Sequence, residues 1–489
     1  MMIIDPVALG DVACTRASVK YVYDRTGTLV QVPANTLAVT YDPRDLSKAP
    51  YALVEPAAAN MVQNSDGMLS GWSSNPPFSY VQNVLAPTSE NTASTYNFNG
   101  NYGGIFLRFD GSMVADPMVD GQQYTFSFLY KPRTGQPAFR LGIESPSAQI
   151  YVANNAVTLS DALATGYVAA LENSWFEVGV TFTANASGNR TVIIYSTADT
   201  PFSMDVFGAQ CEPGGKRTSY VRRVAAAATR AADVVAAGSG LAYSNVAITE
   251  TPYSAATSYA SGVQVYDPAT YAMYQSLVAS NLGNALTDTT KWAPLASTVV
   301  NRWRMFDQYN NTQTTNPEEI IVCASPQAIS QGLYLGNLDA SEVRLSVVDL
   351  TEGLVYQETQ SLIVSNSGSS FYNWGFKPIR RRSYMVSVTS PPYANALITI
   401  AIKKPGGTPK CGVCAIGPLV DVGLSQYGIG REIKDYSTIN FNFDGTTNLQ
   451  KRNFAKRMDI DVVIDNEQID YVIEALEGYR QKPVAWIGA

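Results

Sequence analysis

A mainly β protein of several domains is what the sequence predicts, and three observations predict it. Short stretches alternate apolar and polar residues, the pattern of half-buried strands. The composition is rich in tyrosine (29) and glycine (36), with only 15% charged residues, which suits turn-punctuated β structure. Between residues 20 and 220 no long amphipathic helix pattern interrupts the strands. At 489 residues the chain exceeds what one hydrophobic core usually serves, so two to four domains are expected.

The elements follow in chain order. "YTFSFLY" (124–130) puts Tyr124, Phe126, Phe128 and Tyr130 on one face, and "WFEVGVTF" (175–182) does the same with Phe176, Val178, Val180 and Phe182. Many such strands predict an N-terminal β-sandwich. Residues 221–240 turn abruptly to alanine and arginine, and two readings stand: a helix by propensity, or a closing extended segment followed by a linker at "GSG" (238–240). A small β module follows at 251–297, with aromatic residues spaced between turn formers. Beyond it, "EVRLSVVDL" (342–350), "SYMVSVTS" (383–390) and "ALITIAI" (396–402) predict a third, β-rich domain. Near the end, "DNEQIDYVIEALEGYR" spaces Ile469, Val472, Ile473, Leu476 and Tyr479 at helical intervals, with Asp465 as N-cap and Gln468 three residues on.

Charge and residue usage exclude whole classes of function. A net charge of −7 argues against nucleic acid and anionic membranes, which need a basic footprint. No apolar run of membrane-spanning length occurs, and "MMIIDPVALGD" lacks the basic flank and apolar core of a signal peptide. The five cysteines are an odd number scattered over a long chain, so reduced thiols are expected. Histidine is absent. With it go Ser-His-Asp and Cys-His nucleophiles and His-ligated zinc, and no catalytic residue, metal site or cofactor is expected.

Each remaining motif has a plainer reading beside the chemical one. "CGVC" (411–414) has dithiol spacing but no second CxxC, so two buried small residues are favoured. Asp459 with Asp461, or Asp110 with Asp116, supplies carboxylate pairs of the kind a glycosidase needs, yet their spacing is that of a solvated strand face. Arg380, Arg381 and Arg382 after "FYNWGFKP", and Lys216, Arg217, Arg222, Arg223 and Arg230 around 221–230, read as solvated or salt-bridging surface rather than a phosphate site. "NAS" (185–187) reads as a turn. In the 251–297 module, rings and amides together suit stacking on sugar C–H faces. Against that, so small a unit has little else with which to build a core.

Three stretches resemble known families. "LVEPAAANMVQNSDGMLSGW" (53–72), "YTFSFLYKP", "WFEVGVTF" and "DVFGAQCEPGGKRTSYVRR" with "TRAADV" resemble the concanavalin-like jelly-roll sandwiches of bacteriophage tail-fibre, head-fibre and tail proteins. "SYASGVQVYDPATYAMYQSLVASNLGNALTDTTKWAPL" (258–295) resembles the small accessory carbohydrate-binding modules of chitinases. There the resemblance implies sugar contact at Tyr271, Tyr274 and Trp292. "NRWRMFD", "CGVCAIG", "RNFAKRMDIDVVIDNEQID" and "PVAWIGA" resemble a class of phage tail or baseplate proteins in which "MMII" opens the chain. Relatives of that class usually continue as a strand past "WIGA", so a shortened last strand, or one completed by a partner, is expected here.

Together these resemblances imply a lectin-like sandwich over 1–235 and an extended rather than helical 221–235. They imply a linker at 236–250, a three-stranded module at 251–297 and a docking domain over 298–489 with one late α-helix. The function implied is that of a non-enzymatic virion protein of the tail tip, baseplate or tail fibre, made in the host cytoplasm. It would bind host polysaccharide or lipopolysaccharide and partner with other tail proteins and with copies of itself, without nucleic acid or membrane insertion. The competing expectation is a structural adaptor or brace between hub and fibres that binds no sugar.

Overall fold

The computed structural model describes residues 1–68, 71–109, 117–144, 147–184, 191–224, 228–307, 309–364, 371–376, 380–426, 428, 430–441, 443, 445–452, 454–480 and 482–488. It is mainly β, as the alternation predicts. Two six-stranded antiparallel sheets form the sandwich. One runs Phe78–Val84, Ala93–Phe98, Phe202–Pro213, Gln123–Thr134, Phe176–Thr183, Ala164–Ala170, and the other Ala156–Ser160, Ala148–Ala153, Ala138–Ile143, Thr191–Ser196, Gly104–Arg108, Ser73–Asn75. The inward faces read from the sequence are the inward faces found. Tyr124, Phe126, Phe128 and Tyr130 are buried with Val178, Val180 and Phe182, against Leu141, Ile150 and Ile194 of the opposite sheet.

Residues 221–235 are extended where they are described. Ala228–Arg230 pairs with Ala58–Asn60, and Val234–Val235 pairs with Cys14–Thr15. Alanine propensity is worth tenths of a kcal/mol per residue, and here it is outweighed by strand pairing and by a buried ion cluster. Arg16 Nη1 lies 2.7 Å from Asp233, and Lys20 Nζ lies 2.6 Å from Asp233 and 2.9 Å from Glu55. Arg230 Nη1 sits 3.1 Å from the same Glu55 oxygen, Oε2. The remaining donors of Arg16 are taken by the carbonyls of Ser18, Thr36 and Pro33. The basic residues near 221–230 are likewise paired within the chain: Arg222 with Asp66 and Glu90, and Arg217 with Glu177.

Residues 12–55 form a layer between the sandwich and a third six-stranded sheet. That sheet runs Gly10–Asp11, Gly240–Ser244, Glu319–Ser325, Ala396–Lys403, Glu342–Asp349, Gly353–Ser361. Strand pairing thus reaches into the "GSG" region. A Cβ on Gly240 would stand 2.5 Å from the Gly10 carbonyl oxygen, so glycine serves close backbone approach there. Arg344 donates to the carbonyls of Leu46 and Lys48, Ser346 to that of Pro50 and Gln357 to that of Ala49. The Tyr41 hydroxyl donates to buried Glu319. Because Gly240–Ser244 pairs with Glu319–Ser325, a fragment cut after residue 297 would keep the pairing with Gly10–Asp11 but lose the rest of this sheet.

The three-stranded module is Gln264–Tyr266, Ala272–Ser276 and Trp292–Val299. Met2–Ile4 lies between Leu419–Asp421 and Ala485–Ile487 in another small antiparallel sheet. The late helix spans Ile469–Gly478, entered through a 3-10 turn at Asn466–Gln468. Asp465 makes no side-chain cap; the Gln468 N–H bonds to its backbone carbonyl instead. A six-residue helix, Phe371–Phe376, precedes the arginine run, whose three residues are exposed.

Candidate functional site

The sandwich sheet that buries Phe126 and Val180 turns its other face toward the 12–55 layer. Between them lies a cleft with a cavity volume of about 610 Å³, within the range of ligand sites. Its floor is the outward register of two strands: Thr165 and Tyr167 on one, Glu177 and Thr181 on the next. One wall is the N-terminal layer, with Tyr23, Pro43, Arg44 and Tyr51; the other is the loop holding Lys216 and Arg217. Two bonds fix the first wall: the Glu172 N–H to the Pro43 carbonyl, and the Asn173 side chain to the Thr26 carbonyl.

Glu177 organises the polar groups. The Tyr167 hydroxyl donates to its Oε1 at 2.5 Å, Arg217 Nη1 lies 2.8 Å from its Oε2, and Arg44 approaches within 4.0 Å. Arg217 Nη1 is itself closed to solvent, so its charge is held in place against Glu177 at the wall of the cleft. Burial works against the Arg217 charge, but Glu177, Tyr167 and Tyr23 hold its pKa above the ordinary arginine value. Burial also pushes Tyr23, Tyr51 and Tyr167 upward. All three are therefore neutral hydroxyls near pH 7.

Gly179 makes the floor possible. A Cβ there would stand 2.6 Å from the Tyr167 ring, so the ring lies on the sheet only because its cross-strand neighbour has no side chain. The arrangement offers flat phenol rings, a fixed carboxylate and its guanidinium partner within one cleft. Those are the groups that bind a polyhydroxylated ring by stacking and paired hydrogen bonds.

The residues singled out in the small module sit elsewhere. Trp292 is 1% exposed, its edge against Tyr253 and Tyr259, and its Nε1 donates to the Asn284 carbonyl. Tyr274, half-buried, packs against the same cluster. Tyr271 is not with them: it stacks on Trp303 at 5.2 Å, and its hydroxyl donates to Asp11. Burial first, then that hydrogen bond and the Asp11 charge, push Tyr271 up to about 12. Trp292 thus offers solvent no free ring face, and Tyr271 joins the module to the β-rich domain.

The other motifs fall as follows. Cys411 and Cys414 are buried; burial pushes the Cys411 thiol up to about 12 and Cys414 higher than usual, which keeps both protonated. Asp459 and Asp461 are exposed, the former beside Arg457. Asp110, Asp116 and residues 185–187 lie outside the described residues. Among the described residues, no group of three or more Cys, Asp or Glu side chains could hold a metal ion, and no helix is long and apolar enough to cross a membrane.

Sequence reasoning named Arg217 only as part of a basic group and passed over Glu177, Tyr167 and Tyr23. One signal was present. In "WFEVGVTF" the outward positions between the apolar residues are Glu177, Gly179 and Thr181, and a glycine in mid-strand marks close approach by something else.

No family model matches the chain, and no curated protein matches it. Among solved structures, it is similar to the C-terminal family 22 carbohydrate-binding module of Clostridium thermocellum Xyn10B at 12% identity and TM-score 0.23, covering 33% of this chain and 94% of that one. The CBM22-1 xylan-binding domain of Paenibacillus barcinonensis Xyn10C matches at 10% identity and TM-score 0.23, covering 34% and 98%. A family GH78 rhamnosidase of Bacillus sp. GL1 matches at 9% identity and TM-score 0.16, covering 83% and 36%. At these scores the likenesses decide neither fold nor ligand.

Proposed function

We propose that the protein is a non-catalytic bacteriophage virion protein of the tail tip, baseplate or tail fibre, which contributes to host adsorption by binding a surface glycan. The cleft around Tyr167, Glu177 and Arg217 is the glycan site in this reading. The observation that carries it is the cleft floor, where the Tyr167 ring lies over Gly179 beside the Glu177–Arg217 pair and faces a wall that includes Tyr23 and Tyr51. Tail location rests on the resemblance of the sandwich, module and C-terminal motifs. Single-site affinity would be weak, and repeated copies around a symmetric tail would raise avidity.

The test is binding of the full chain to host cells and to isolated surface polysaccharide, with Arg217→Ala and Gly179→Ala beside it. Charged hydrogen bonds contribute about 1.5–3 kcal/mol, so Arg217→Ala is expected to weaken binding about 10- to 100-fold. Gly179→Ala should displace the Tyr167 ring and weaken it as well, with Arg217 intact. Wild-type binding that neither substitution alters would remove the cleft from the reading. No binding to any host envelope fraction would leave the adaptor. The burial of Trp292 and the role of Tyr271 as an inter-domain contact favour that second reading for the small module.

A further inference from the structure

Beyond Val422 the chain leaves the β-rich domain as a long two-stranded ribbon and returns. Leu424–Ser425 pairs with Val462–Val463, Gly430–Asp435 with Phe454–Asp459, and Thr438–Phe441 with Thr447–Gln450. Its outer part has two different faces. Ile439 and Phe441 share one with Leu449, which stands opposite Ile439; Thr438, Asn440, Asn448 and Gln450 make the other. Strand alternation of this kind is the signature of a face meant for burial. Yet Ile439, Phe441 and Leu449 are all exposed, and Phe443 at the tip is fully so. An isolated two-stranded ribbon is marginal in water, and this one leaves its apolar face uncovered.

The late helix has the matching deficit. Its apolar stripe, read from the sequence as five residues, is only half used. Val472 and Tyr479 pack on Ile3, Val422 and Ile464, while Ile469, Ile473 and Leu476 remain exposed. At 100° per residue, Asp470, Glu474 and Glu477 flank the exposed half, and all three are exposed. The ribbon carries the opposite charge at the end of this strand: Lys451 continues the register of Leu449, Arg452 bonds to Gln450, and both are exposed. The two surfaces therefore complement each other in charge and share a need for apolar cover. They belong to one chain, and both stand exposed within it.

We propose that the ribbon of one copy lies across the helix of the next. Ile439, Phe441, Phe443 and Leu449 would cover Ile469, Ile473 and Leu476, with Lys451 and Arg452 against Glu474 and Glu477. The occupant of each surface is a second copy of this chain. Different patches meet, so the contact is head-to-tail, and it closes into a ring where the rotation permits. This assembly is independent of the glycan reading, because the cleft lies on the sandwich.

The test is the mass of the full chain by light scattering during size exclusion, for wild type and two charge-reversed chains. Lys451→Glu with Arg452→Glu, and separately Glu474→Lys with Glu477→Lys, should each raise the dissociation constant at least tenfold and yield monomer. Far-UV circular dichroism should stay unchanged, since every altered residue is exposed, and the thermal transition should fall only to the midpoint that wild type shows when diluted to monomer. Mixed one to one, the two monomeric chains should reassociate, because each ribbon then faces a helix of opposite charge. A wild-type monomer at all concentrations overturns the proposal, as does an oligomer that ignores both reversals. Reversed chains that stay monomeric on mixing overturn it too.

Discussion

Replacing Asp233 by alanine is expected to destabilise the protein by about 3–5 kcal/mol, the cost of removing one partner from a buried ion pair. Asp233 accepts from Arg16 Nη1 at 2.7 Å, Lys20 Nζ at 2.6 Å and the Glu55 backbone N–H at 3.0 Å. The side chains of Arg16, Lys20 and Asp233 have no solvent exposure. Without Asp233, Arg16 keeps its carbonyl partners but loses its counter-charge, and Lys20 keeps Glu55 and the Leu53 carbonyl. Removing Glu318 from its exposed pair with Arg25, at 3.4 Å, should cost less than about 1 kcal/mol. Urea and thermal unfolding of both variants measure the contrast, and similar midpoints would refute it.

The same cluster sets an acid limit. Burial pushes Asp233 and Glu55 upward, but Lys20, with Arg16 for the first and Arg230 for the second, outweighs it and holds both below their ordinary values. A depressed folded-state pKa stabilises fully above the unfolded value, about 3.9 for Asp and 4.3 for Glu, and the gain drains away as pH falls through the folded value. Wild type should therefore lose more stability between about pH 5 and pH 2 than Asp233→Asn does. Parallel pH profiles for the two proteins would contradict this assignment.

Trp292→Ala is the second large effect, about 3–5 kcal/mol for emptying a buried aromatic site. The expected consequence is loss of the 251–299 module while the sandwich stays folded. The module's core consists of little more than Tyr259, Val265 and Trp292, with Tyr253, Tyr274 and Leu286 at its margin. Limited proteolysis should then cut within the module first, and Trp292→Phe, which keeps a ring in place, should resist. A stable Trp292→Ala protein would mean that the ring is not core.

The alternating strands were legible because period 2 ties each side chain to a face: Tyr124 to Tyr130 and Phe176 to Phe182 point inward as read. The late helix was legible from its spacing, though its stripe is only half covered by the chain itself. Residues 221–235 were not legible from propensity, because an alanine-rich run is decided here by Asp233, Arg230 and the strands they join. The candidate cleft was hidden for a related reason. Tyr23, Arg44, Tyr167, Glu177 and Arg217 come from three separated stretches, and nothing local marks them as neighbours.

By itself, then, the sequence determined the β class, the inward faces of the strands, the late helix and the absence of histidine chemistry. Each of those depends on residue type or on spacing within one element. Only the tertiary structure decided that Trp292 is core, that residues 12–55 form a layer between two sheets, and that Arg217 meets Glu177 beneath a ring lying on Gly179. Those outcomes depend on which distant groups share a buried volume, where an unpaired charge or an empty site costs several kcal/mol and local preference only tenths.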